Sequence, residues 1–281
     1  MTGIREAGLV KLSRRQMLAT TLLSRVAFAQ TGGTQLPLRA TGLEHMGYTA
    51  PDPKKSASFF GRIFDPQIFQ EMAPPLRYYC RVGTGYLAFG SSRNAAPAAM
   101  DHFCVTVEDY RLEDMRAELR AVGINLTGQP GYNAVTDPEG IRMQLMATPG
   151  GLLPTIIAST RVTQEDAVCH PIGMDHVMLA VNDLEKETQF YERFLGKPTL
   201  TKNPDRVWFT VARTKLGLET VATPGTNSHI QHLGVRVAGY DQKRISDRLS
   251  AIGVEILPST DEKLLRFKDS DGFAVELRSG E

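Results

Sequence analysis

Apolar and polar positions alternate in four short runs, each with a histidine in third place: LEHMGYTA at 43–50, MDHFCVTV at 100–107, MDHVMLAV at 174–181 and IQHLGVRV at 230–237. Successive strand side chains point to opposite faces. Val177, Leu179 and Val181 therefore share one face, with His176, Met178 and Ala180 on the other. The same split sets Leu233, Val235 and Val237 against His232, Gly234 and Arg236. Each run predicts a strand with an oily back and a histidine-bearing front.

A turn and a helical pattern follow each strand. Phe59, Phe60, Ile63 and Phe64 make one apolar stripe, and Leu112, Met115, Leu119 and Val122 a second, stopped by Gly123. Helices are expected at 184–195, where Phe190, Tyr191 and Phe194 mirror the first stripe, and near 242–252. Strands are expected at 78–82, 86–91, 207–211 and 215–221. Hairpins close the second and fourth units, 132–136 with 141–147 and 264–268 with 273–278, around the turns DPEG and DSDG. His45 to His102 spans 57 residues and His176 to His232 spans 56, while Asp137 to Gln144 and Asp269 to Glu276 each span 7. One supersecondary unit is thus repeated four times, and the first half superposes on the second, with Gln144 where Glu276 stands.

The chain has 281 residues, 42% hydrophobic, with a formal charge of +1. That is an ordinary globular composition with no broad basic field, which argues against nucleic acid and for a small-molecule substrate. Residues 1–29 carry Arg14-Arg15, a weakly apolar stretch and Ala27-Phe28-Ala29, resembling a twin-arginine export signal, although Arg25 interrupts the apolar region. The mature protein is expected to be periplasmic or extracellular, with no membrane segment and with room for a homo-oligomer. After a linker at 30–40, the expected domains are 41–148 and 173–281, each of two units, joined by a linker at 149–172. Cys104 shares the strand face of His102, and Cys80 and Cys169 stay open as a disulfide pair in an exported protein.

His176 and His232 begin equivalent strands, and Glu276 lies on the front of the last one. If the third and fourth units pair about a local two-fold, two imidazoles and one carboxylate converge as a facial triad for a divalent metal: Fe(II) first, with Mn, Zn or Ni as alternatives. His45, His102 and Gln144 form a weaker, degenerate second set, because a neutral amide is a poorer ligand than a carboxylate. Arg236 and Arg278 share the front faces; Arg236 is the candidate for an anion or oxygen contact. Trp208, the only tryptophan, reads as core.

Four β-α-β-β-β units, a histidine at the start of each and a DP-x-G or DSDG turn before the last strand resemble the vicinal oxygen chelate superfamily over residues 41–279. The resemblance implies an α+β fold of paired units forming two cupped mixed-sheet domains, with metal in the cup. His176, His232 and Glu276 match the ligands of type I extradiol dioxygenases, which implies ring-cleaving chemistry on an aromatic or vicinal-oxygen substrate. Two positions depart from that pattern: Arg266 stands where those enzymes have a tyrosine, and no histidine follows His232. A glyoxalase-like isomerase is the alternative, with Glu219 as fourth ligand, and a non-catalytic resistance-type binding protein is the third.

Overall fold

The computed structural model describes residues 36–71, 75–129, 132–152, 158–200, 202–259 and 261–280. The expected export signal and most of the linker after it lie outside them.

All four units have the expected order. The first runs β1 (Ala40–Ala50), α1 (Pro53–Ile63), β2 (Gln67–Gln70), β3 (Tyr78–Val82) and β4 (Gly85–Ser91). The second runs β5 (Ala99–Val107), α2 (Leu112–Ala121), β6 (Thr127–Gln129), β7 (Tyr132–Thr136) and β8 (Arg142–Ala147). After β9 (Ala158–Arg161) come β10 (His170–Val181), α3 (Leu184–Leu195), β11 (Thr199–Leu200), β12 (Arg206–Val211) and β13 (Thr214–Thr220). The last comprises β14 (His229–Ala238), α4 (Gln242–Ala251), β15 (Ile256–Leu257), β16 (Leu264–Lys268) and β17 (Ala274–Ser279).

Three helices start at an aspartate whose side chain accepts a backbone N–H three residues on: Asp52 from Lys55, Asp183 from Lys186 and Asp241 from Arg244. These are N-caps, satisfying donors the first helical turn leaves open. Arg111 occupies that place in α2 and makes no capping bond.

Two mixed sheets result, ordered β6-β7-β8-β5-β1-β4-β3-β2-β9 and β11-β12-β13-β10-β14-β17-β16-β15. In each, the histidine strands pair antiparallel at the centre, β1 with β5 and β10 with β14. Each then pairs parallel with its own unit's last strand. This is the α+β arrangement of paired units in mixed sheets. The segment 149–172 is more than a connection, since β9 within it extends the first sheet through β2.

The oily backs behave as the alternation demands: Val177, Leu179, Leu233 and Val235 are fully buried. They belong to one core that runs through both sheets. Tyr191 of α3 lies 6.2 Å from Phe209 of the second sheet and 6.4 Å from Phe103 of the first. Phe59 of α1 reaches Phe267, 6.4 Å away. With the backs closed against helices and each other, the fronts carry the polar chemistry. Among the described residues no helix is long and apolar enough to cross a membrane.

Candidate metal centres

At each histidine the strand pairing slips by one residue. In the β10–β14 ladder Met174 faces Val235 but His176 faces Gly234, and Met178 faces His232 but Leu179 faces Ile230. The β1–β5 ladder slips at the corresponding places. Such a bulge turns two consecutive side chains toward the same side. Consequently the residue before each histidine bonds its Nδ1: Glu44 to His45, Asp101 to His102 at 2.8 Å, Asp175 to His176 at 2.7 Å and Gln231 to His232 at 2.7 Å. These oxygens accept, so each Nδ1 carries a proton and each Nε2 faces the front of the cup, offering its lone pair where the ring is neutral.

In the second sheet the Nε2 atoms of His176 and His232 stand 3.2 Å apart, with the rings at 90°. The Glu276 carboxylate is 3.4 Å from the first and 3.6 Å from the second. All three residues are buried. The His176 ring lies over Gly234, where a Cβ would come within 2.3 Å of it, and edge-on to Trp208. Trp208, expected to be core, therefore also walls the site.

Two arginines flank the carboxylate, Arg266 at 3.2 Å and Arg278 at 3.4 Å. Burial opposes ionisation of Glu276, but the His176 hydrogen bond and the charges of His232, His176 and Arg278 bring its carboxyl down to about 2. Burial also draws His232 down to about 3, against the pull of Glu276. Burial likewise opposes protonation of His176, and its bonds to Asp175 and Glu276 outweigh it, so its pKa is raised.

Glu219 does not join this group. Its Oε2 accepts from Arg206 Nε at 2.8 Å, and its Oε1 accepts from Gln231, whose own oxygen holds His232. The carboxylate expected as a fourth ligand thus acts one link back, orienting the residue that orients the imidazole. Arg236 lies four residues beyond His232, a rise of about 13 Å along the strand. It donates to the Arg213 carbonyl at 3.0 Å and sits beside Arg278 across the β14–β17 ladder. The arginines that contact Glu276 are Arg278 and Arg266. Arg236 and Arg278 each keep a buried Nε–H without a hydrogen-bond partner, whereas the Arg266 Nε lies against Glu276 Oε1.

The first sheet repeats the arrangement. His45 and His102 face each other through Nε2 at 3.2 Å with rings at 89°, and Gln144 Oε1 is 3.1 Å from His45 Nε2. Cys104 and Glu44 lie close to His45. Burial raises the Cys104 thiol well above its usual range. Cys80 and Cys169 are separate buried thiols, donating weakly to the Arg81 and Ile63 carbonyls, so the bridge left open by the sequence does not form.

The alternation hid the four residues before the histidines, because an ideal strand turns them to the back. Their signal was the repeated acid or amide before the ring: E-H, D-H, D-H and Q-H.

Residues 173–277 match the model of the Glyoxalase/Bleomycin resistance protein/Dioxygenase superfamily. Metallothiol transferase FosB of Lysinibacillus sphaericus (strain C3-41) is 27% identical over 116 residues, covering 38% of this chain and 82% of that protein. Among solved structures, homoprotocatechuate 2,3-dioxygenase of Brevibacterium fuscum, in complex with 3,4-dihydroxyphenylacetate, shares the fold with a TM-score of 0.65 at 14% identity. That match covers 88% of this chain and 82% of the dioxygenase. The Mn(II)-bound glyoxalase of Novosphingobium aromaticivorans aligns with a TM-score of 0.62 at 14% identity, over 86% of this chain and 83% of that one.

Proposed function

We propose, from the match of residues 173–277 to the model of the Glyoxalase/Bleomycin resistance protein/Dioxygenase superfamily, that the second sheet holds a divalent metal through His176, His232 and Glu276. The bound substrate is a small molecule with vicinal oxygens and an anionic group, and the reaction is extradiol-dioxygenase-like. The donor set fits such an ion: two buried imidazole lone pairs and one carboxylate oxygen lie within 4.8 Å of one another. When bound, an Fe(II) ion with three protein ligands would supply open positions for chelation and redox chemistry.

The observation that carries this reading over the isomerase alternative is the engagement of Glu219. Held by Arg206 and Gln231, it leaves the facial set at three. The chain's own part in the chemistry is positioning. Arg266 and Arg278 stand against Glu276, and the unpartnered Nε–H groups of Arg236 and Arg278 favour an anion on the front of the sheet. Arginine stays protonated, so this surface binds and orients charge but does not move protons.

The second reading is a non-oxidative transfer or isomerisation. The 27% identity to a metallothiol transferase over 116 residues favours it. Oxygen uptake separates the two. Full-length protein loaded anaerobically with Fe(II) is expected to consume oxygen with carboxylate-bearing catechols, and Arg278→Ala is expected to raise KM for them more than it lowers kcat. Turnover of a metal-loaded enzyme on the hemithioacetal of an α-ketoaldehyde, or on an epoxide with a thiol co-substrate, without oxygen uptake would replace the dioxygenase reading with the second.

A further inference from the structure

The first sheet assembles the same front-face geometry as the second. The Nε2–Nε2 separation is 3.2 Å in both, and the ring planes cross at 89° and 90°. The space for it is reserved in both: His102 lies over Gly47, where a Cβ would come within 2.0 Å of the ring, as His176 lies over Gly234. Both Nδ1–H groups are taken by carboxylates, Glu44 and Asp101. Two imidazole lone pairs therefore point at each other across 3.2 Å in a buried place, an arrangement that repels unless a cation lies between them.

We infer that the first sheet carries a second divalent-metal site, with His45 Nε2, His102 Nε2 and Gln144 Oε1 as ligands and the Cys104 thiol at its edge. The neutral amide looked like a weakness in the sequence because charge was counted only at the ligands. One link further out the balance changes. The first site has two carboxylates on its imidazoles, with Arg142 bonded to Asp101. The second has Glu276 and Asp175, but Arg266 and Arg278 both stand against Glu276. Carboxylates behind the imidazoles raise their basicity and stabilise a bound dication, so a Gln144 site need not be the weaker one. Glu44 is itself fixed: it takes the His45 proton and the backbone N–H of Gly151, whose neighbour Gly150 has no room for a side chain against it. Gly150 and Gly151 thus pack against Glu44.

The site is tested by titrating metal-free full-length protein with Co(II) under anaerobic conditions, counting equivalents and recording the d–d spectrum. Wild type is expected to bind two equivalents per chain, His102→Ala one and His232→Ala one, with the two remaining sites spectrally distinct. Asp101→Asn, which keeps every ligand, is expected to weaken one of the two equivalents by about tenfold. Gln144→Glu is expected to tighten that same equivalent, and it answers the question even if His102→Ala fails to fold. One equivalent in wild type, lost in His232→Ala and unchanged in Asp101→Asn and Gln144→Glu, would overturn this inference and leave the proposed function standing. One equivalent lost in His102→Ala and kept in His232→Ala would support the inference and overturn the metal set of the proposed function. No bound Co(II) would overturn both.

Discussion

His45, His102, His176 and His232 are each set by the residue before them and by a glycine on the strand opposite or a ring beside them. That sharpens what a single methyl group should do. Gly234→Ala places a Cβ 2.3 Å from the His176 ring, which must rotate off its Asp175 bond. The expected result is a metal affinity lowered by more than about tenfold with the circular dichroism of the sheets retained, measured by competition against a chromophoric chelator; unchanged affinity would mean that the ring has a second acceptable position. At this scale the sequence disclosed His176, His232 and Glu276, because repeat and face could be counted. It did not disclose Asp175 or Gln231, because a bulge breaks the count of two on which face assignment rests. Nor did it disclose that Gln231, on the same front through its bulge, bonds the Glu219 carboxylate.

The elements show where the four-fold repeat has diverged. Ser56 of α1 and Glu187 of α3 are 131 residues apart, as His45 and His176 are, and so hold equivalent positions. Each faces the hairpin turn of the opposite half. Ser56 donates to Asp271 at 2.6 Å. Glu187 is fully buried, and neither of its oxygens has a hydrogen-bond partner. Burial, then the charges of Asp137 and Glu139, push its carboxyl up to about 8, with Lys186 opposing. Between the ordinary carboxyl range and about pH 8, the native state therefore holds a proton that the unfolded chain has released. Native stability should fall as pH rises through that window. Glu187→Gln keeps the shape and removes the titration, so it should raise stability by on the order of 4 kcal/mol at pH 8 and by little at pH 4. Thermal melts of both proteins across this range check it, and a stabilisation independent of pH would contradict the assignment. The long elements were legible because their apolar stripes and alternations persist over several turns or pairs. The two- to four-residue strands β2, β6, β9, β11 and β15 were not named, since a period cannot be read from so few residues and tertiary pairing decides them.

At the scale of the whole molecule, duplication explains both what was readable and what was not. Four copies of one unit were evident from spacing, and the family resemblance they carry implied the α+β class and the paired sheets. How the two sheets share a core was hidden, because contacts such as Phe59 with Phe267 and Phe103 with Tyr191 join residues that no local pattern relates. The same duplication gives the chain two metal-ligand geometries, one closed by a carboxylate and one by an amide. The account depends first on the carboxylate one. Its most direct test is an anomalous difference map at the iron edge from crystals of the full chain loaded with Fe(II) without oxygen. The account predicts a peak bonded to His176 Nε2, His232 Nε2 and Glu276, at roughly 2.0–2.2 Å from each. An iron-loaded crystal with no peak between these three side chains would contradict it.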